Sequence, residues 1–205
     1  ISTYEMYYNN RKALENISQG KWIPSITNRI FEQYYLVKNI DSTITLDNLD
    51  NRVIYYKNNI GKVWLDYITL KKYKKPISKI LKKAVEVRKP QKLIFNIFFN
   101  NDELSVVSKK IYDDMVELNP QIKNKIVIIR KSKPIFISGI GFTSKLVDDY
   151  YNKMHESIQN EISKKGKIKL SDAIKIHGVY YVKDVELEPL NDFFYEYSNL
   201  KKLYK

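Results

Sequence analysis

Apolar positions along the chain change period several times. Tyr4, Tyr7, Tyr8, Leu14 and Ile17 recur at three- and four-residue spacing, which predicts a helix ending near Gly20. Ile26, Ile30, Phe31, Tyr34 and Val37 predict a second helix, with Ser25 placed to cap it. After an acidic loop at Asp41, Asp47 and Asp50, residues 53–56 and 63–70 are rich in β-branched and aromatic side chains around Asn58, Asn59 and Gly61, the signature of a β-hairpin. Pro76 then opens a stretch with Ile77, Ile80, Leu81, Ala84 and Val85 on one side and Lys79, Lys82, Lys83 and Glu86 on the other, which predicts a basic amphipathic helix.

Beyond residue 92 the pattern predicts a strand over 93–99, a helix over 102–117, and strands over 125–130 and 134–138. A long helix follows, burying Leu146, Val147, Tyr150, Tyr151, Met154, Ile158 and Ile162; short strands over 167–170 and 179–187 and a last helix over 191–204 complete the chain. The order β-α-β-β-α-β across 92–187 is that of a split, ferredoxin-like sandwich. The expected fold class is therefore mixed α/β (α+β): residues 1–90 as a helical segment with a hairpin and the basic helix, residues 91–205 as a split β-α-β domain with a C-terminal helix. A winged-helix-like C-terminal third is the alternative, with a short helix from Ser171 to His177. Against it, 180–187 alternates like a strand and is acidic at Asp184, Glu186 and Glu188, where a DNA-reading helix would begin.

Composition narrows the class. With 205 residues, 43% hydrophobic and 29% charged, the chain can bury a real core, as one large domain or two small ones. Cysteine is absent, which excludes disulfides, thiolate zinc sites and cysteine nucleophiles and favours a reducing compartment. No stretch approaches the roughly 20 apolar residues of a membrane span, and no basic-then-apolar leader is present. The expected location is intracellular, cytoplasmic or nuclear, without integral membrane association.

Charge then supplies the functional expectation. The net charge is +13, and ten lysines and arginines against Glu86 alone fall between residues 70 and 92. A concentrated positive field attracts phosphate, and Tyr73 among Lys71, Lys72, Lys74 and Lys75 combines cations with a ring, as single-stranded nucleic acid requires. Lys123, Lys125, Arg130, Lys131 and Lys133 form a second cluster, and Lys164, Lys165, Lys167 and Lys169 a third. Only five of the basic residues are arginine, which points to backbone contact more than base reading. The resulting expectation is a non-catalytic protein or domain binding single-stranded or structured nucleic acid, RNA or DNA, with low sequence specificity. Its contacts are Lys71, Lys72, Tyr73, Lys74, Lys75, Lys79, Lys82, Lys83, Arg130, Lys131 and Lys133.

Three other readings remain. Acidic groups at Asp113, Asp114 and Glu117, and at Asp184, Glu186, Glu188, Asp192 and Glu196, polarise the surface as in a protein-interaction module or homo-oligomer. The 77–87 stretch could meet anionic lipid, although it lacks an aromatic anchor. Asp66, Asp102 and Glu103 near strand ends are the carboxylates best placed for a metal-dependent nuclease, while the adjacent pairs Asp113 and Asp114, and Asp148 and Asp149, point about 100° apart on a helix. His155 and His177 define neither a triad nor a ligand set. Gly139 and Gly141, before Thr143, Ser144 and Lys145, fit neither a Walker A loop nor a dinucleotide fingerprint and read as a turn before a capped helix. No catalytic residue, cofactor or metal is therefore expected.

Overall fold

The computed structural model describes residues 3–26, 30–136, 139–144, 153, 156 and 176–204. In chain order the elements are α1 (Tyr4–Ile17), β1 (Ser18–Ile26), β2 (Phe31–Glu32), β3 (Tyr34–Asn39), β4 (Val53–Tyr56), α2 (Asn59–Tyr73), a 3₁₀ turn (Ile77–Lys79), β5 (Lys83–Glu86), α3 (Lys92–Phe99), β6 (Glu103–Ser108), α4 (Lys109–Leu118), α5 (Gln121–Lys125), β7 (Ile126–Lys131), β8 (Ile135–Phe136), β9 (Gly141–Ser144), β10 (Ile176–Tyr181) and α6 (Asp184–Leu203). The fold is mixed α/β. Two compact units divide it: Ile1–Phe31 with Phe136–Tyr195, and Glu32–Ile135 with Glu196–Lys205. This division does not fall at residue 90, and the 92–187 stretch contributes to both units instead of closing on itself as one sandwich.

The larger unit is built on a five-stranded sheet of order β5-β4-β6-β3-β7. β4 runs parallel to β5 and to β6, while β3 is antiparallel to both β6 and β7. Period-two alternation divides the side chains between two faces. Tyr35, Val37 and Val107 enter a cluster with Leu93, Ile94 and Ile97 of α3, Met115 of α4 and Ile122 of α5. On the opposite face α2 comes so close to β6 that a Cβ at Gly61 would lie 3.3 Å from Val106 Cγ1. Helices on both faces explain why β3 is buried almost throughout: the central strands of such a sheet have no solvent side.

α2 is secured at its far end by a buried carboxylate. Asp66 accepts the Ile77 amide at 2.8 Å and the Tyr197 hydroxyl at 2.9 Å, joining α2 to the 3₁₀ turn and to the last residues of α6. Beside it, Tyr67 donates to Glu196 at 2.6 Å. Lys74 closes α2 with φ 57, the left-handed conformation that usually falls to glycine.

In the smaller unit, β1 pairs antiparallel with β10 on one side and β9 on the other. Trp22 stands opposite Gly141, and a Cβ there would meet the indole at 2.1 Å, so the ring lies where a side chain would have been. Tyr7 of α1 stacks on Phe142 at 5.8 Å, and Lys21 bridges Glu15 at 3.2 Å and Asp184 at 2.6 Å.

Several sequence expectations give way. In place of the second helix, Ile26 ends β1, Phe31–Glu32 is β2 and Tyr34 to Val37 belong to β3, because Tyr34 to Val37 are apolar for burial on two sheet faces and not on one helical stripe. The hairpin over 52–70 is β4 followed by α2: Asn58 caps a helix so deeply buried that its periodicity is hidden. The 77–87 helix is a 3₁₀ turn and β5. The 93–99 strand is α3, with Leu93, Ile94 and Ile97 buried at helical spacing. The 102–117 helix begins as β6, with Ser108 capping α4 only afterwards. Gly141, read as part of a turn, and Thr143 and Ser144, read as the start of a helix, lie in β9. Most of the long helix, the 167–170 strand, residues 171–175 of the short helix and the third lysine cluster lie outside the described residues; Ile176 and His177, read as the end of that short helix, open β10 instead. The last helix begins at Asp184, inside the stretch read as a strand.

Two outcomes follow from this packing. Tyr197→Phe removes a hydrogen bond to a buried carboxylate and should lower unfolding free energy by about 1.5–3 kcal/mol in urea titrations. Burial pushes Tyr34 and Tyr55 from their ordinary 10.0 up to about 12, Tyr55 also because its hydroxyl donates to Glu103 at 2.9 Å. Unfolded tyrosine ionises first, so the stability these phenols contribute is complete below about pH 10 and is lost as pH rises to about 12. Tyr55→Phe should make the fall in denaturation midpoint across that window shallower than in the parent.

Candidate functional site

Because β4 and β6 are parallel neighbours, the helices that follow them start at the same sheet edge. The two-residue link Lys57-Asn58 carries β4 into α2, and β6 passes directly into α4 at Ser108. Ligands of open α/β sheets gather outside this carboxyl edge, where helix N-termini present free amides and positive dipole ends.

The two N-termini differ in what remains available. In α4 the Lys109 amide donates to Gln33 O at 2.7 Å, the Lys110 amide reaches Glu32 Oε1 at 3.4 Å, and the Ile111 amide donates to Ser108 Oγ at 3.3 Å. A carboxylate of the chain itself already stands there. In α2, Asn58 Oδ1 accepts from Gly61 at 2.9 Å, while the amides of Asn59 and Ile60 have no partner among the described residues. Space at Gly61 is tight, since a Cβ would stand 3.1 Å from that capping oxygen.

Behind the open turn lies Tyr34. Asn58 Nδ2 donates to its oxygen at 3.0 Å, leaving the phenolic proton without an acceptor among the described residues. Lys57 adjoins Asn58 in the chain and its Nζ donates to Arg88 O at 3.0 Å, while Lys62, in the first turn of α2, stands 5.9 Å from the Tyr56 ring; neither meets a carboxylate among the described residues. Lys109 and Lys110, by contrast, are paired with Asp113 and Asp114. Open amides, a phenolic proton and two lysines near one helix start are groups that a small anion accepts from. The sequence pointed elsewhere. The signal that marks this place is a strand followed by Asn58 and a small residue three positions later, a helix start that the hairpin reading absorbed.

The residues expected to bind nucleic acid are distributed differently. Lys71 is ion-paired with Glu196 at 2.6 Å, which raises its pKa and lowers that of the glutamate, and Lys72 is paired with Asp47. Lys74 stands 5.4 Å from the Tyr204 ring. The Tyr73 hydroxyl donates to Leu46 O at 2.7 Å and accepts the Leu49 amide at 2.9 Å, which fixes the ring against this loop. Lys75, Lys79, Lys82, Lys83 and Lys133 are exposed, and Lys131 turns to the Tyr35 ring at 5.3 Å. Only Arg130 joins Lys71, Lys72 and Tyr73, around a pocket that Leu46, Leu49 and Ile68 complete. Among the described residues no group of three or more acidic or histidine side chains could hold a metal, and no helix is long and apolar enough to cross a membrane.

No family model matches the chain, and no curated protein matches it significantly. Solved structures do. XAC2383 from Xanthomonas citri bound to ATP superposes with TM-score 0.68 at 11% identity, over 99% of this chain and 78% of that one. A binding protein component of an ABC phosphonate transporter from Pseudomonas aeruginosa gives 0.61 at 11% identity, over 100% and 70%. PhnD1 from Prochlorococcus marinus in complex with methylphosphonate gives 0.53 at 12% identity, over 97% and 84%. These neighbours overturn the nucleic-acid reading with its protein-module and nuclease alternatives: over nearly the whole chain the likeness is to binders of small solutes, and Lys71, Lys72 and Lys74 are engaged within the chain. What the likeness shows for this chain is the mixed α/β fold.

Proposed function

We propose that this protein binds a small anionic solute of the phosphonate or phosphate-ester class at the N-terminus of α2. The observation that carries the reading is the open first turn of α2, where the amides of Asn59 and Ile60 have no partner and Lys57 and Lys62 no carboxylate among the described residues. A tetrahedral oxyanion accepts several donors at once, which a helix N-terminus supplies from backbone without deforming. The neighbours bound to ATP and methylphosphonate support the class, and the high net positive charge speeds encounter with any anion.

Asn58 holds the site open by capping the helix with one side-chain atom and orienting Tyr34 with another. The phenol, kept protonated by burial, supplies a neutral donor at any physiological pH.

Isothermal titration with methylphosphonate, inorganic phosphate and ATP tests the reading, with acetate as a planar control. Saturable heat from at least one phosphorus oxyanion and none from acetate is expected. Lys57→Glu with Lys62→Glu should weaken that binding at least about tenfold, ~1.4 kcal/mol, while the thermal midpoint falls only slightly, since Lys62 is exposed and half-buried Lys57 gives up one hydrogen bond to Arg88 O. Absence of heat from all three phosphorus compounds, or an unchanged affinity in the double variant, refutes it. Asn58→Ala should cost about 1 kcal/mol of stability. It should also move the Tyr34 titration further upward in absorbance measurements, because the Asn58 amide favours the phenolate.

A further inference from the structure

We propose a second binding site in the larger unit, for a small monocarboxylate with a short hydrocarbon body, in the pocket at the C-terminal end of α2. The pocket has a volume of about 260 Å³ and is lined by Leu46, Leu49, Ile68, Lys71, Lys72, Tyr73 and Arg130. Its position separates it from the anion site proposed above. α2 runs 15 residues from Asn59 to Tyr73, so the two ends lie about 20 Å apart along the helix.

Charge pairing decides what the pocket takes. Of its three cations, Lys71 is held by Glu196 and Lys72 by Asp47, while the Arg130 guanidinium meets no carboxylate among the described residues. One positive charge is therefore in surplus, and it is carried by the side chain whose planar fork fits a carboxylate with two parallel hydrogen bonds. A dianion or polyphosphate would have to break one of the lysine pairs; a monoanion leaves both intact.

Shape and polarity decide the rest of the ligand. Leu49 and Ile68 are buried and Leu46 half-buried, giving an apolar floor. Tyr73 adds no free polar group, because its hydroxyl is spent on both Leu46 O and the Leu49 amide. Those two bonds fix the loop that forms the wall, so the pocket is preformed. The volume lies below the roughly 300–1,000 Å³ of drug-sized sites, which restricts the body to a short aliphatic or branched chain.

Calorimetric titration with hexanoate, acetate, hexanamide and hexyl phosphate discriminates the parts of the claim. Hexanoate should bind one to one, at least tenfold more tightly than acetate, which lacks the body, than hexanamide, which lacks the charge, and than hexyl phosphate, which carries excess charge. Arg130→Gln should reduce hexanoate affinity at least tenfold while leaving methylphosphonate binding and the thermal midpoint unchanged. Leu46→Trp, which fills the cavity and keeps the arginine, should abolish hexanoate binding as well. Hexanoate binding that is absent, that survives both variants, or that hexanamide matches overturns the proposal. Apart from the methylphosphonate control, these outcomes do not depend on whether the phosphonate site exists.

Discussion

The parallel pairing of β4 with both β5 and β6 is the constraint on which the larger unit depends. Antiparallel neighbours can be joined by two residues, whereas parallel ones require the chain to return across the sheet before pairing again. Here α2 makes that return between β4 and β5, and α3 between β5 and β6. The helices therefore cover the sheet, and α2 and α4 begin at one edge. The site at the α2 N-terminus is a by-product of strand direction, sharpened by local choices. Asn58 spends its side chain on Gly61 and Tyr34, and Glu32 occupies the competing helix end.

Asp66 performs the complementary task at the opposite end of α2. A carboxylate in an apolar setting is costly unless its oxygens are satisfied, and here one oxygen takes a backbone amide and the other a tyrosine hydroxyl. The chain between Tyr73 and β5 is thereby tied down despite its lysine-rich sequence. Several of those lysines serve locally: Lys71 and Lys72 lie in the last turn of α2, where cations offset the negative end of the helix dipole. Clustering in sequence was real, but its cause lies partly in the helix and partly in the ion pairs to Asp47 and Glu196.

How much of this was legible in the sequence varies with burial. α1 was readable because it has one buried stripe, marked by Tyr4 and Tyr7. The α/β class and the strand over 126–131 were readable as well. α2 was not: Val63 through Asp66 and Ile68 through Leu70 are all buried, so no polar face remains to reveal a period of 3.6. The same loss of contrast made Tyr34 to Val37 look helical. Of the expected contact residues, Lys71, Lys72, Tyr73 and Arg130 do meet around one pocket, although nothing in their spacing joins Arg130 to the rest. The α2 N-terminus was missed because Asn58, Asn59 and Gly61 are equally good turn residues, and only parallel strand pairing decides between a hairpin and a helix cap.

The chain has two tryptophans, and they fall one to each unit: Trp22 against Gly141 in the smaller, Trp64 within α2 in the larger. Their surroundings differ, a half-buried ring pressed on bare backbone and a ring enclosed in a helical core. Replacing either with phenylalanine leaves a single tryptophan confined to one unit, which excitation selective for indole reads apart from the 17 tyrosines. The protein thus carries its own pair of separable optical reporters, able to tell whether the two units melt together or in succession without any added label.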